Sequence, residues 1–241
     1  MLAPDLAGFG ASTHPATPPR HIRGWMRLWT DQCLALLDAL GLARAHLVGT
    51  SLGGCIALHL LAEAPERFGR VALLAPAGAP LRITPELDRL WGFYEDPTPA
   101  VMARLVRRIV PAPAVLGEDV DSIARLRTEA ALRPEVRRSD EAMFGGDRQA
   151  VADAPVVPEA ALVRMPHEVL VVHGREDRIL PYPCGLWLAE RPPLARLFLL
   201  PRCGHRPHVE HWAAVQRLLS QHLAGDVREL PAPPTDRRSP V

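Results

Sequence analysis

The chain contains no lysine, and all 28 of its basic residues are arginine. These balance 27 acidic residues to a net charge of +1, so charge provides no general attraction to nucleic acid or to an anionic membrane. Cysteine is sparse: Cys33, Cys55, Cys184 and Cys203 lie far apart without a Cys-x-x-Cys pair, which favours neither a zinc site nor a disulfide framework. No apolar run is long enough to span a bilayer and no signal peptide is recognisable, so we expect a cytoplasmic protein.

What the sequence does contain is a repeated alternation of short apolar runs and helical patterns. Its 241 residues, 48% of them hydrophobic, suffice for one large α/β domain with its own core. Apolar runs predict strands at 1–5, 45–48, 70–75, 168–173 and 195–200. Helical spacing of apolar residues predicts helices at 30–40, 52–64, 183–190 and 209–224. Such alternation predicts a mostly parallel sheet with helices on both faces.

The segment 81–160 interrupts this alternation. It contains helical patches at 101–110 and 123–132, separated by prolines. We interpret it as a helical cap inserted into an α/β core formed by 1–80 and 161–225. The last residues, 226–241, are rich in proline, arginine and aspartate and are predicted to be disordered.

A Gly-x-Ser-x-Gly motif lies at Gly49–Gly53, between a predicted strand and a predicted helix. This context is typical of a nucleophile elbow, in which a sharp turn presents the serine hydroxyl, here of Ser51, to a cleft. We expect glycine at 49 and 53 because a side chain at either position would clash with neighbouring backbone. The following helix would direct its N-terminus, and the N–H of Leu52, at a developing oxyanion. The alternative interpretation is an ordinary glycine-rich loop capped by a serine.

A serine hydroxyl needs a base to remove its proton, and the base is usually a histidine oriented by a carboxylate. In a fold of this kind the carboxylate precedes the histidine in the chain, and each lies in a loop after a strand. Asp177 follows the strand predicted at 168–173 by one short loop, and spacing alone barely separates it from Glu176. The alternative for Asp177 is a helix N-cap or a surface partner for Arg178.

His205 is the candidate base because it lies immediately after the strand predicted at 195–200 and before the last predicted helix. His208 and His211, three residues apart, have no third ligand beside them, so they favour a solvated helix face over a metal site. We therefore predict no metal. His173, at the end of a predicted strand, is interpreted as structural.

Together with segment 3–12, the motifs at Gly49–Gly54, His173–Arg178 and Cys203–His205 resemble the α/β-hydrolase superfamily. More specifically, the chain resembles the meta-cleavage product hydrolases in four cap segments: Ile83–Leu87, Trp91–Gly92, Leu132–Pro134 and Ala142–Phe144. That family cleaves a carbon–carbon bond in 2-hydroxy-6-oxo-dienoates, which arise when aromatic rings are degraded. The resemblance implies the α/β-hydrolase fold and runs from Met1 to about the end of the last predicted helix.

The resemblance implies a catalytic triad of Ser51, Asp177 and His205. It thereby selects Asp177 over Glu176. It also implies that Arg133 binds the carboxylate of the substrate, which an arginine fork can hold through two hydrogen bonds. A salt bridge on the surface of the cap is the alternative for Arg133. The implied partner is a small carboxylate-bearing ketone or ester, and the implied reaction needs neither a metal nor an organic cofactor.

Three positions that face the substrate in that family differ in this chain. Thr50 replaces an asparagine before the serine, Leu52 replaces a phenylalanine or methionine after it, and Arg206 replaces a tryptophan after the histidine. We expect Thr50 and Arg206 to contact the substrate and Leu52 to supply an oxyanion N–H. An arginine in place of an indole changes both the shape and the charge of the pocket.

Family members also have strands ahead of the segment that opens this chain, and a His-Gly loop that donates the second oxyanion N–H. We therefore expect an N-terminally truncated chain, with weak activity or a non-catalytic ligand-binding scaffold as alternatives. Among active enzymes, a carboxylesterase or lactonase with the same triad is the alternative. A homo-oligomer is compatible with the sequence.

Overall fold

A computed structural model describes residues 1–111 and 117–224. At its centre, four parallel strands pair in the order β1-β2-β3-β4. Their bounds are Ala45–Thr50 for β1, Phe68–Leu74 for β2, Val169–Gly174 for β3 and Ala195–Leu200 for β4. Neighbouring parallel strands must be joined by crossovers, and each crossover here contains helix. The predicted parallel sheet is confirmed.

Helices flank the sheet and fill the connections between its strands. The first two are α1 (Ile22–Ala39) and α2 (Leu52–Glu63). Between β2 and β3 lie α3 (Pro85–Trp91), α4 (Pro99–Ile109), α5 (Val120–Ala131), α6 (Pro134–Phe144), α7 (Arg148–Asp153) and α8 (Glu159–Leu162). The last three are α9 (Tyr182–Ala189), α10 (Pro207–Glu210) and α11 (Trp212–His222). Short 3₁₀ turns lie at Pro65–Arg67, Phe93–Glu95 and Gly117–Asp119.

Both faces of the sheet are covered, because successive strand side chains point to opposite sides. One set packs with α1, α2 and α9 in the main core and comprises Val71, Leu73, Val169 and Val171. The other set packs against Val215 of α11 and comprises Ala72, Leu74, Leu170 and Val172. With apolar side chains required on both faces, β2 and β3 become continuous hydrophobic runs in the sequence.

The predicted first strand is wrong. Met1–Asp5 is exposed and irregular, and it has no partner strand among the described residues. Polar contacts instead close a loop against α1: Gln32 accepts from the N–H of Ala7 and donates to the carbonyl of Asp5. The Asp5 carboxylate in turn accepts from the N–H of Ala11. A short apolar run becomes a strand only where a neighbouring strand supplies its hydrogen bonds.

Two helices differ from their predicted bounds. α1 begins at Ile22 rather than at residue 30, because Ile22, Trp25 and Trp29 extend its buried stripe toward the N-terminus. The predicted last helix is interrupted at His211, whose φ of −134° and ψ of 47° lie outside the helical region. The interruption separates α10 from α11.

Between β2 and β3 the described chain folds into helices, and the patches predicted at 101–110 and 123–132 overlap α4 and α5. Prolines begin helices here rather than break them. Pro85, Pro99 and Pro134 occupy the first turn of α3, α4 and α6, where the missing N–H has no helical partner to lose. The disorder predicted for 226–241 lies outside the described residues. In the part of the chain that the structure describes, no helix is both long and apolar enough to cross a membrane.

Candidate active site

The turn between β1 and α2 holds Ser51 in a strained conformation. Its φ of 53° and ψ of −118° lie where residues with a side chain are rarely found. Gly49 is required beside it because a Cβ there would collide with the carbonyl oxygen of Gly53. Gly54 is required because its Cβ would lie 2.8 Å from Pro76 Cβ. The clash predicted at Gly53 is wrong, since open space surrounds its Cβ position.

Leu52 begins α2, and its N–H has no hydrogen-bond partner among the described residues. The first N–H groups of a helix carry partial positive charge. Leu52 lines the same cavity as Ser51, so this N–H is available to a negative oxygen that forms beside the serine.

Hydrogen bonds join Ser51, His205 and Asp177 in a row. The hydroxyl of Ser51 lies 3.0 Å from His205 Nε2, and His205 Nδ1 lies 2.8 Å from Asp177 Oδ2. A carboxylate only accepts, so Nδ1 carries the ring proton and Nε2 is left to accept from the hydroxyl. His205 and Asp177 are both buried. Such a row can remove the hydroxyl proton and stabilise the imidazolium that results.

The surroundings of Asp177 keep its carboxylate ionised. Burial alone would raise the pKa of Asp177, but hydrogen bonds from His173 and His205 outweigh burial and lower the pKa to about 2. Its Oδ1 also accepts from the N–H groups of Ile179 and Leu180, at 2.8 Å and 3.0 Å. The rival Glu176 points elsewhere, because it accepts from the N–H of Cys203.

Glu210, which the sequence analysis did not single out, holds the loop that carries His205. Its two carboxylate oxygens accept from the N–H groups of Gly204 and Arg206, one on each side of the histidine. The N–H of His205 itself donates to the carbonyl of Ile109 at 3.2 Å. The nearby His211 donates from Nε2 to the carbonyl of Arg202, so it is occupied in holding the backbone.

A cavity of about 590 Å³ opens above Ser51. Most of its lining is apolar and comes from the helices between β2 and β3: Leu87, Trp91, Phe93, Leu105, Val106 and Phe144. Four charged side chains interrupt this lining: Arg127, Arg133, Asp140 and Arg206. A cavity of this kind suits a small molecule that is largely apolar and carries few charged groups.

Two of the three arginines have no partner in the described structure. Arg206 and Arg127 form no side-chain hydrogen bond or ion pair there, and burial followed by the charge of Arg127 lowers the pKa of Arg206. Arg133 is engaged: its guanidinium donates to the carbonyls of Gly10 and Ala130, at 3.0 Å and 3.4 Å, and lies 3.7 Å from the carboxylate of Glu135.

Thr50, the third predicted substrate contact, ends β1 and is absent from the cavity lining in the described residues. Ser51, the next residue, lies in the turn after the strand and does line the cavity.

Arg127 and Asp140 line the cavity but are not among the residues predicted from the sequence. Both occupy positions at which helical spacing predicts an apolar residue: Arg127 adjoins the stripe of Val120 and Ala124, and Asp140 lies four residues after Val136. A charged residue at such a position is the sequence signal that could have identified them. Burial, together with the charge of Glu141, raises the pKa of Asp140 to about 6.

Comparison with known proteins identifies the family to which this chain belongs. Residues 1–218 match the Alpha/beta hydrolase family. The chain is 39% identical over 224 residues to the 2-hydroxymuconate semialdehyde hydrolase of Pseudomonas sp. (strain CF600), covering 93% of this chain and 76% of that protein. The chain belongs to the α/β-hydrolase family. The predicted resemblance and fold class are thereby confirmed.

Other relatives of this α/β-hydrolase are also meta-cleavage enzymes. It is 30% identical over 226 residues to a 2-hydroxy-6-oxo-2,4-heptadienoate hydrolase of Pseudomonas putida, covering 94% of this chain and 79% of that protein. The solved 2-hydroxy-6-oxo-6-phenylhexa-2,4-dienoate hydrolase of Rhodococcus sp. strain RHA1 superposes with a TM-score of 0.87 at 42% identity, covering 92% of this chain and 79% of that one. These relatives are hydrolases, and this α/β-hydrolase is similar to them in sequence and in fold.

Proposed function

We propose that this α/β-hydrolase cleaves the carbon–carbon bond of 2-hydroxy-6-oxo-dienoates. One observation carries the proposal: the Ser51 hydroxyl, bonded to His205, faces a mostly apolar cavity that also holds two arginines without acidic partners. A dienoate has the matching chemistry, with an apolar conjugated chain, a ketone to attack and a carboxylate at one end. The names of the relatives, which include a 2-hydroxymuconate semialdehyde hydrolase, support the same substrate class.

In the proposed reaction, Ser51 is the nucleophile, His205 the base and Asp177 the group that orients the base. His205 first assists transfer of a proton within the dienol to give the ketone form. The Ser51 oxygen, or a water that His205 deprotonates, then attacks the carbonyl carbon. The N–H of Leu52 stabilises the resulting oxyanion. The bond to the adjacent carbon breaks, its electron pair leaves with the dienolate, and the dienolate takes up the proton that His205 removed from the nucleophile. When Ser51 is the nucleophile, a water that His205 deprotonates then hydrolyses the acyl-serine bond, which releases the carboxylic acid and restores the serine hydroxyl.

The carboxylate of the substrate is assigned to the cations in the cavity. Arg206 and Arg127 are the candidates with unused donors, and Arg133, which the family resemblance implies, has donors already committed to backbone carbonyls. Binding an anion between Arg206 and Arg127 would also relieve their mutual repulsion.

The test compares two substrate classes on the purified protein. A chromogenic 2-hydroxy-6-oxo-dienoate should be consumed with a kcat/KM at least about 100-fold above that for p-nitrophenyl esters, and Ser51→Ala should abolish the turnover. The reverse preference would identify a carboxylesterase or lactonase instead.

A third outcome concerns the scaffold alternative. Folded wild-type protein that turns over neither substrate class, and in which a fluorophosphonate fails to label Ser51, would indicate a weakly active or non-catalytic binding protein. A cytoplasmic location and self-association stay predictions of the sequence.

A further inference from the structure

His173, at the end of β3, lies against the carboxylate that orients His205. Its side chain is fully buried, and its Nε2 lies 2.8 Å from the carbonyl oxygen of Leu180 and 3.2 Å from Asp177 Oδ2. A carbonyl oxygen only accepts hydrogen bonds, so Nε2 must carry a proton. That single N–H therefore faces the carbonyl and the carboxylate together.

The other ring nitrogen fixes this tautomer. Nδ1 of His173 is buried without a hydrogen-bond partner in the described structure. It faces Gly185 of α9 so closely that a Cβ at position 185 would collide with it. A proton on Nδ1 would thus be buried without an acceptor, which is costly. The packing of α9 on β3 therefore favours the tautomer that carries its proton on Nε2.

Asp177 Oδ2 consequently lies beside the N–H groups of two imidazoles. The Nδ1–H of His205 approaches at 2.8 Å and the Nε2–H of His173 at 3.2 Å. Each hydrogen bond that a carboxylate accepts offsets part of the negative charge of the carboxylate. A carboxylate with an additional donor therefore stabilises a neighbouring cation less strongly. His173 therefore limits how strongly Asp177 favours the charged form of His205.

We propose that His173 is a positioning residue that acts through Asp177. It fixes the direction of Oδ2 toward His205, and it keeps His205 from being held too firmly in its protonated form, in which it cannot act as a base. This inference rests on the triad of the proposed function and is independent of which substrate the enzyme cleaves.

Other titratable groups face the same pair of residues. They are Cys184, Cys203, Arg206 and Glu210 beside Asp177, and His208 beside His205. All of them stay in place in the variants below, so their influence is common to wild type and variant.

The test is the pH dependence of the rate at which a fluorophosphonate labels Ser51, a reaction that needs the serine and its base but no particular substrate. His173→Phe removes one donor to Asp177. We expect the acid limb of the labelling rate to move to higher pH by about 0.5–1 unit, while the alkaline plateau is retained. His173→Gln, whose amide can donate in place of Nε2, should restore the limb. Gly185→Ala keeps every polar group but displaces the ring, and should move the limb in the same direction as His173→Phe.

His167→Phe is the matched control. His167 is also buried and donates from Nε2 to a backbone carbonyl, that of Pro65 at 2.9 Å, but it has no contact with Asp177. We expect its variant to lose stability without moving the acid limb. An unmoved limb in both His173→Phe and Gly185→Ala, or an equal shift in His167→Phe, would overturn the proposal.

A measurement on the wild type covers the case in which the variants do not fold. The ¹⁵N-histidine spectrum should show His173 as the Nε2–H tautomer at the pH of the labelling plateau. An Nδ1–H tautomer there would refute the proposal. Failure of the wild type to be labelled at Ser51 would count against the proposed function, and the spectrum would still decide the state of His173.

Discussion

At the scale of single residues, the charges inside the cavity set what it can bind. Arg206 and Arg127 are close enough for the charge of one to lower the pKa of the other, and neither has an acidic partner in the described structure. Each therefore repels the other until an anion lies between them. Arg133 instead links α6 to the N-terminal loop through the carbonyl of Gly10. An incoming carboxylate gains more from the first two arginines than from the third.

We therefore expect Arg206→Ala and Arg127→Ala each to raise KM for the dienoate by about 10–100-fold, the usual cost of losing a hydrogen bond to a charged group. Arg133→Ala should lower the melting temperature and change KM by less than about 3-fold, because the arginine mainly donates hydrogen bonds to backbone carbonyls. Steady-state kinetics with the dienoate, and with p-nitrophenyl acetate as a substrate without a carboxylate, measure both effects. A large rise in KM confined to Arg133→Ala would support the carboxylate contact that the family resemblance implies.

At the scale of elements, the junction of β1 and α2 depends on Gly54, which lies just after the Gly-x-Ser-x-Gly motif. A Cβ on Gly54 would lie 2.8 Å from Pro76 Cβ and 3.1 Å from Pro76 Cα, so Gly54→Ala must move the loop after β2. That loop donates the N–H of Ala77 to the carbonyl of Ser51. We expect Gly54→Ala to lose about 1–3 kcal/mol of unfolding free energy.

Gly53→Ala is the matched comparison, because no atom lies within 4 Å of its Cβ position. Alanine favours helix over glycine by up to about 1 kcal/mol, so this variant should be neutral or slightly more stable. Urea unfolding of both variants measures the difference. If the two variants were equally destabilised, the close approach of Pro76 would not be the reason that position 54 requires glycine.

The elements that the sequence predicts well are those whose signal is local. Buried parallel strands need apolar residues on both faces, which makes β2 and β3 visible as hydrophobic runs, and α2 follows its motif directly. The strand predicted at Met1–Asp5 is wrong because a strand forms only where it can pair with another strand, and local sequence does not show whether a partner is present. Within the candidate site, the motif marks Ser51, and position after a strand marks His205. Arg127 and Asp140 depend on how the helices between β2 and β3 fold over the core, which local sequence does not specify.

At the scale of the whole molecule, the helices between β2 and β3 enclose the cavity at a cost in stability. Asp140 on α6 lines that cavity, and it has no ion pair or side-chain hydrogen bond in the described structure. Burial raises its pKa to about 6 from 3.8, which means that the folded protein favours the neutral carboxyl. A half-buried, unpaired carboxylate is therefore a penalty on folding at neutral pH.

The direction of this penalty with pH follows from linkage. Below pH 3.8 the carboxyl is neutral in both the folded and the unfolded state, and its contribution is most favourable. Stability is lost as pH rises from 3.8 to about 6, and no more is lost above that range. Asp177 has the opposite dependence, because its pKa is lowered to about 2, so its contribution is lost as pH falls through the acid range. The two groups can be separated by working at pH 4.5 and above, because the contribution of Asp177 changes mainly below its ordinary pKa of 3.8.

Asp140→Asn should therefore raise the unfolding free energy at pH 7.5 by on the order of 2 kcal/mol, with a gain that falls to about a third of that value at pH 4.5 and vanishes below pH 3.8. The asparagine cannot ionise, so it escapes the cost of burying a charge while occupying nearly the same volume. Urea unfolding at several pH values measures the gain. Glu129→Gln, on the exposed surface of α5, serves as control and should give no pH-dependent difference. A gain for Asp140→Asn that is the same at pH 4.5 and 7.5 would mean that its carboxylate is not destabilised by the cavity.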